Sequence, residues 1–180
     1  VTNAATIVDG YATVLNAYDN QLYTYGKGPS KITVTAPDVG VTTQTAITIR
    51  GTITDIAAGT KQEQTAANFP NGLPCVSDAS MNRWMEYVYM QQPCPLDTTG
   101  VPIAISVVDA NGNYRTIGST VSDAMGTYAF NWTPDIAGAY TVYATFAGTE
   151  AYYPSNAATS FYAAEPAATQ APPPTVTSMA

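Results

Sequence analysis

The chain has 180 residues, of which 46% are hydrophobic and only 11% are charged, and its formal net charge is −7. A typical soluble domain carries about 25% charged residues. Here 27 threonines and 13 tyrosines are prominent instead, and both residue types favour strands. The six lysines and arginines are scattered, which excludes the basic patch that a nucleic acid or an anionic membrane surface would require. No apolar run is long enough to span a bilayer.

Histidine is absent, which removes Ser-His-Asp and Cys-His catalysis and histidine-ligated metal sites. No glycine-rich phosphate loop or paired-carboxylate motif occurs, although a two-carboxylate site from distant residues stays open. We therefore predict no enzyme activity, no cofactor and no metal. Asp109–Asn113 resembles the start of a calcium loop, but Thr120 stands where the bidentate acid is required. A hairpin turn at Asn111-Gly112 is the preferred interpretation.

Residues 1–30 are predicted to form an N-terminal β-hairpin followed by a linker. Tyr11–Asn16 and Gln21–Tyr25 are strand-like, and residues 17–20 between them suit a hairpin turn. The chain begins at Val1 without a signal-like segment, which we interpret as a processed protein or a part of a longer one. Because a two-stranded hairpin is marginal in water, this one is expected to pair with something else.

Residues 31–163 are predicted to form an all-β, immunoglobulin-like two-sheet sandwich. Apolar residues alternate with Thr and Arg over 31–55, and the alternation returns from Val101 onward. The strands predicted in that second part are 102–108, 113–118, 127–132, 139–147 and 157–163. Trp132 is interpreted as a core residue. Asn131, in the chain's one glycosylation sequon, is a candidate for modification that the following Pro134 disfavours.

Residues 56–100 interrupt the sandwich pattern and are interpreted as an insertion with one short helix, Ser77–Met90. Cys75 precedes the helix and Cys94 follows it. A disulfide between them would close a loop of about 20 residues and contribute roughly 3 kcal/mol. It would also indicate an oxidising compartment outside the cytoplasm. The alternative is two free, buried thiols.

The helix of the insertion carries more aromatic and soft apolar surface than one helix face can bury. Trp84, Tyr87, Tyr89 and Met90 are therefore candidate partner contacts within the segment 68–96. Residues 164–180 form a Pro/Ala/Thr-rich tail that favours an extended conformation. Such a tail does not adopt a fixed conformation by itself, so we expect a neighbouring subunit to bind it.

Two segments of the sequence resemble known protein families. The run Asp123-Ala-Met-Gly-Thr-Tyr-Ala-Phe-Asn-Trp-Thr-Pro134, with Gly138-Ala-Tyr-Thr-Val-Tyr-Ala-Thr-Phe146 after it, resembles prokaryotic immunoglobulin-like repeats of surface proteins and adhesins. Residues 9–28 look like the closing strands of a quinoprotein-type β-propeller blade, as found in archaeal cell-surface proteins. The second resemblance implies descent or excision from a larger protein, and it implies no bound quinone.

These features lead to one functional hypothesis with two alternatives. The first is an extracellular structural protein, a cell-surface subunit of a filament, sheath or surface layer held by strand and tail exchange between copies. The second is a glycan- or protein-binding adhesion module that uses the 68–96 insertion. The third is a passive stalk of a membrane-anchored propeller protein.

Overall fold

The computed structural model describes residues 5–8 and 11–167. Within them the strands are β1 (Ala5–Val8), β2 (Tyr11–Asn16), β3 (Gln21–Tyr25), β4 (Ser30–Ile32), β5 (Ile47–Asp55), β6 (Leu73–Pro74), β7 (Pro102–Val108), β8 (Tyr114–Val121), β9 (Thr127–Trp132), β10 (Gly138–Phe146) and β11 (Ser155–Ala163). The helices are a 3-10 turn (Ala58–Lys61), α1 (Glu63–Asn68) and α2 (Asp78–Met90). The predicted tail lies outside the described residues from position 168 onward.

Two antiparallel sheets form a sandwich around one shared core. One sheet has the strand order β11-β10-β7-β8, and the other is built on β5, which pairs with β4, β6 and β9. Alternate residues of each strand point inward, as strand geometry requires, so that Ile49, Ile105 and Val142 are fully buried together. The predicted all-β, immunoglobulin-like architecture is confirmed at this level.

The two sheets of the sandwich contact each other at their corners. Thr120 Oγ1 of β8 donates to the backbone oxygen of Ala129 in β9 at 3.0 Å. On the opposite side, the N–H of Ala164, just after β11, donates to the Val41 oxygen at 2.9 Å, and Thr43 N–H donates to the Ala164 oxygen. These contacts occupy part of the backbone that the sandwich would otherwise expose at its edges.

The turn between β7 and β8 confirms the hairpin interpretation of Asp109–Asn113. The Asp109 carboxylate accepts the backbone N–H groups of Asn111 at 2.9 Å and Asn113 at 3.0 Å. Gly112 has φ +82°, a conformation that glycine adopts without strain. These hydrogen bonds hold the pKa of the Asp109 carboxyl below its usual value. The carboxylate therefore serves the turn.

The predicted helix in the insertion is confirmed, but the predicted disulfide is wrong. Cys75 is a buried free thiol and Cys94 an exposed one. After α2 the chain runs back along the helix, because Asp97 pairs with Arg83 and the Thr99 oxygen accepts the N–H of Ser77. Cys94 stands before this returning segment and therefore lies towards the C-terminal end of α2, a helix about 20 Å long. A disulfide needs Cα atoms within about 7 Å, and Cys75 stands before the other end.

Packing and one tether hold the insertion in place of the predicted disulfide. Phe69, Leu73, Val76 and Trp84 form a second apolar cluster beneath α2. The carboxylate of Asp78, the first residue of α2, accepts the N–H groups of Glu150 at 3.1 Å and Ala151 at 3.2 Å, which follow β10. Asp78 thus links the helix to the sandwich.

The N-terminal region forms a sheet of three strands instead of a two-stranded hairpin. β2 and β3 have the predicted bounds, and β1, which the sequence analysis missed, pairs with β2. The predicted turn at 17–20 is confirmed: Asp19 accepts the N–H of Gln21 at 3.0 Å, and Asn20 has φ +56°. Asp and Asn tolerate this left-handed geometry.

Candidate interaction surface

The N-terminal sheet, formed by β1, β2 and β3, has no core of its own. Among residues 5–8 and 11–25, none is buried. The most exposed large side chains of its strands are Ile7 at 79%, Leu22 at 67% and Tyr25 at 60%. Because single exposed apolar residues are common, the significant feature is that they are grouped on one small sheet, with Ile7 and Tyr25 on one face and Leu22 on the other.

One face of the N-terminal sheet is apolar and aromatic. The strand register places Ile7, Ala12 and Tyr25 side by side, with Val14 and Tyr23 in the next row. The rings of Tyr23 and Tyr25 stack with centroids 6.5 Å apart. Cross-strand neighbours on one face of a sheet point the same way. The described part of the chain therefore presents an aliphatic and aromatic face to solvent.

The N-terminal sheet is attached to the sandwich at one end. The hydroxyls of Tyr11 and Tyr153 form a hydrogen bond, and Tyr11 also donates to the Lys27 backbone oxygen at 3.3 Å. The Lys27 ammonium group lies 5.4 Å from the centre of the Tyr153 ring. These contacts fix the sheet at the start of β2 and leave the apolar face and the outer edges of β1 and β3 free of described neighbours.

The four candidate partner contacts of the insertion form two pairs, one packed inside the insertion and one exposed. Trp84 is 2% exposed and lies 5.5 Å from the ring of half-buried Tyr87, so these two residues pack inside the insertion instead of facing a partner. Tyr89 and Met90 are exposed at 44% and 64%. The sequence offered all four as partner contacts and did not reveal that Trp84 and Tyr87 pack against each other within the insertion.

Asn131 and Trp132 lie on opposite sides of β9. Asn131 is exposed on the outer face of its sheet, where Thr48 Oγ1 donates to its side-chain oxygen at 2.8 Å. The Trp132 ring contacts Tyr140 at 5.2 Å and Phe161 at 6.4 Å, edge to face. This packing agrees with the interpretation of Trp132 as a core residue. Glycosylation of Asn131 stays a prediction.

A shallow groove of about 630 Å³ lies on the same outer face and is lined mainly by threonines and Arg50. Its hydroxyl groups are bonded within the protein: Thr33 to Thr52 at 2.8 Å, and Thr127 to the carboxylate of Asp123 at 2.5 Å. A sugar would have to replace these bonds to bind, so the groove is a poor candidate for recognition.

Four titratable side chains converge where the insertion meets the sandwich: Asp55, Cys75, Tyr89 and Tyr152. Asp55 is 7% exposed, and its carboxylate accepts the N–H of Ala57 at 2.8 Å. Burial raises the pKa of the Asp55 carboxyl group, the Cys75 thiol and the Tyr152 hydroxyl. A buried thiol with a raised pKa is a poor nucleophile, so this cluster is structural in character.

We expect Asp55→Asn to raise the free energy of unfolding at pH 7 by about 1 kcal/mol, because the amide keeps the Ala57 bond without burying a charge. The folded protein binds the Asp55 proton more tightly than the unfolded chain does. Stability is therefore lost as the pH rises from the unfolded pKa through the folded one. Below the unfolded pKa the Asp55 carboxyl group is protonated in both states, so the increase in the free energy of unfolding caused by Asp55→Asn should be smaller there. Urea unfolding at pH 3.5 and 7 tests this, with exposed Asp38→Asn as the control; equal effects of both variants would contradict it.

Within residues 5–8 and 11–167, no group of three His, Cys, Asp or Glu side chains is placed to hold a metal ion. In the same ranges, no helix has the length and apolar character that crossing a membrane requires.

No family model matches this sequence, and no curated protein matches it. Among solved structures, the chain is similar to the CARDB domain of the PF1109 protein from Pyrococcus furiosus, determined in complex with di-metal ions. The two are 11% identical, and the match covers 80% of this chain and 100% of that domain with a TM-score of 0.41.

The predicted hairpin lacked β1, which is one of the three strands of the apolar face. A signal was present, since Asp9-Gly10 is a dipeptide typical of tight hairpin turns and stands between two apolar runs. A third strand changes the interpretation, because three strands with one apolar face can form a stable unit once that face is covered.

Proposed function

We propose that this chain is an extracellular structural subunit that associates with copies of itself through its N-terminal sheet. The observation that supports this most is the apolar face of β1, β2 and β3, which the described part of the chain leaves uncovered. A small sheet gains stability when such a face is buried. Another copy of the same chain is the partner present wherever the protein is present.

The edges of the same sheet support the proposal. β1 and β3 are its outer strands, and each presents unpaired backbone groups on one side. Exposed edges of this kind are templates for pairing with another chain. In the sandwich, by contrast, corner contacts such as Thr120 with Ala129 occupy part of the edge. The N-terminal sheet is therefore the better donor of strands to a neighbour.

The overall composition supports a place outside the cell. Only 11% of the residues are charged, and threonine and tyrosine hydroxyls provide much of the polarity. The free cysteines give no support to this location, since the expected disulfide does not form. Extracellular placement therefore rests on the resemblance to immunoglobulin-like surface repeats and on composition.

We expect Ile7→Asp to reduce the size of the assemblies by blocking the apolar face with a charge. Ile7 is 79% exposed, so the substitution should leave the fold intact. Val39→Asp is the matched control, because Val39 is 85% exposed in a loop of the sandwich. Multi-angle light scattering over a concentration series gives the particle mass. A wild-type protein that stays monomeric, or an Ile7→Asp variant that assembles like Val39→Asp, would refute the proposal.

An adhesion module is the second candidate, and a specific patch favours it. Tyr89 and Met90 at the end of α2 are exposed, and Leu96 in the segment after the helix is fully exposed. Aromatic and methionine side chains are enriched in protein interfaces. On this alternative the partner would contact the end of the helix, and the N-terminal sheet would play no part.

A further inference from the structure

One face of the sandwich carries no charged side chain. In the sheet β11-β10-β7-β8, buried Ile105, Val107 and Val142 alternate with residues that point outward. The register groups the outward residues in rows across the sheet. We call them the neutral face: Tyr162 and Ala139; Ser160, Thr141, Val108 and Tyr114; Ala158, Tyr143, Ser106 and Thr116; Asn156, Thr145, Ala104 and Ser119; Pro102 and Val121.

The only charged residue in these four strands is turned away from the neutral face. Arg115 of β8 bonds the carboxylate of Asp135, with Nη1 and Oδ2 2.7 Å apart, and its guanidinium lies 5.9 Å from the Trp132 ring. Trp132 packs against Tyr140 of the core. The opposite outer face of the sandwich differs, because exposed Lys31 and Arg50 stand on it.

We infer that the neutral face is a homotypic interface, on which a second copy of this chain packs face to face about a two-fold axis. The charge distribution favours this partner. With a net charge of −7, two copies repel each other through most of their surfaces. Across the neutral face, no charged group has to lose its water or approach a charge of the same sign. This removes the main cost of association between two copies.

The register also determines which residues of the neutral face would meet across a two-fold axis. Tyr143 lies in the middle row, between the row of Tyr114 and the row of Ala104, and its ring is 6.3 Å from that of Tyr114. In an isologous interface a surface packs against its own copy, so residues near the axis approach the same residues of the partner. Tyr143 and Ala104, at and next to the middle of the face, are therefore expected to lie near their own copies.

The neutral face is also large enough. Four strands about 4.8 Å apart and about eight residues long cover roughly 500 Å². Two copies would thus bury about 1,000 Å², the lower limit for a specific interface. This contact is independent of the N-terminal sheet and goes beyond the proposed function. With both contacts in use, pairs of subunits would join into a chain.

The test uses opposite charges at Ala104, which lies next to the centre of the neutral face. In the full-length protein carrying Ile7→Asp, which weakens association through the N-terminal sheet, we expect Ala104→Glu and Ala104→Lys each to weaken the remaining dimer formation at least about tenfold in sedimentation experiments. A 1:1 mixture of the two variants should recover most of the association, because the two charges then meet as opposites. Ala129→Glu, an identical change at an exposed site on the opposite face, should behave like the Ile7→Asp parent.

Several outcomes would overturn the inference. One is Ala104→Glu associating as well as Ala129→Glu; another is a mixture that fails to recover, since the occupant would then be something other than a second copy. If circular dichroism shows Ala104→Glu to be unfolded, Ala104→Cys in a Cys94→Ser background decides. It should form disulfide-linked dimers faster than Ala129→Cys in that background, and equal rates would refute the two-fold contact. Ile7→Asp reports separately on the proposed function.

Discussion

Trp84→Ala is expected to lower the free energy of unfolding by about 3–5 kcal/mol, the range for removing a buried tryptophan. Trp84 is 2% exposed, and its ring lies 5.7 Å from that of Phe69 and 5.5 Å from that of Tyr87. The small cluster beneath α2 has no other residue of this size. The substitution therefore removes most of the apolar contact that packs α2 against the rest of the insertion.

Urea unfolding followed by circular dichroism and by fluorescence measures this loss. In the Trp84→Ala variant, Trp132 is the only remaining tryptophan and reports on the sandwich. Met90→Ala, in the same helix at 64% exposure, is the control and should change stability by less than about 0.5 kcal/mol. Equal effects of the two substitutions would mean that α2 is not docked through Trp84.

The same result decides how the adhesion alternative can be tested. Loss of glycan or protein binding in Trp84→Ala would follow from unfolding of the insertion and would carry no information about the binding surface. Tyr89→Ala and Met90→Ala remove exposed side chains and leave the packed face of α2 intact. Binding that both variants retain would exclude this end of the helix as the adhesion site.

Gly51→Ala is expected to cost about 3 kcal/mol, at the upper end for overpacking. Gly51 lies in β5 opposite Tyr128 of β9, and the Tyr128 hydroxyl crosses over it to donate to the Thr33 backbone oxygen. A Cβ atom on residue 51 would overlap both that oxygen and the hydroxyl. Because the Thr33 oxygen belongs to the backbone, the segment after β4 would have to move away from β5.

Thermal and urea unfolding of Gly51→Ala should be compared with Gly28→Ala. A Cβ atom on residue 28 meets nothing closer than 3.8 Å, so that control should be neutral or slightly stabilising. The double variant Gly51→Ala with Tyr128→Phe removes the hydroxyl clash and keeps the backbone clash, and we expect only partial recovery. A Gly51→Ala protein as stable as Gly28→Ala would contradict the close approach of Thr33 to β5.

Much of the fold was predictable because local pattern and local structure agree. β2, β3, β7 and β9 have the predicted bounds, since alternation of apolar and polar residues indicates a half-buried strand directly. α2 was predictable for the same reason, at the helical period. The separation of the two cysteines was not predictable, because spacing along the chain says nothing about the path by which the segment after α2 returns towards Ser77.

The candidate surfaces were predictable only in part. The exposed apolar residues of β2 and β3 follow from their sequence. β1 was not predicted, because a segment of four residues is too short to show a clear alternation of apolar and polar residues. The neutral face was out of reach, since its rows join residues such as Ser160 and Tyr114 that are adjacent only through the register of four strands. No window of sequence contains that arrangement.

Composition and periodicity by themselves determined that this protein is made of strands, has few charges and lacks the histidines that much catalysis uses. They did so because backbone preference and burial act residue by residue. Tertiary structure alone decided which tryptophan is buried, that the cysteines stand apart, and that uncharged residues from four strands share one surface. These properties depend on distances between segments, which are set by packing of the whole chain.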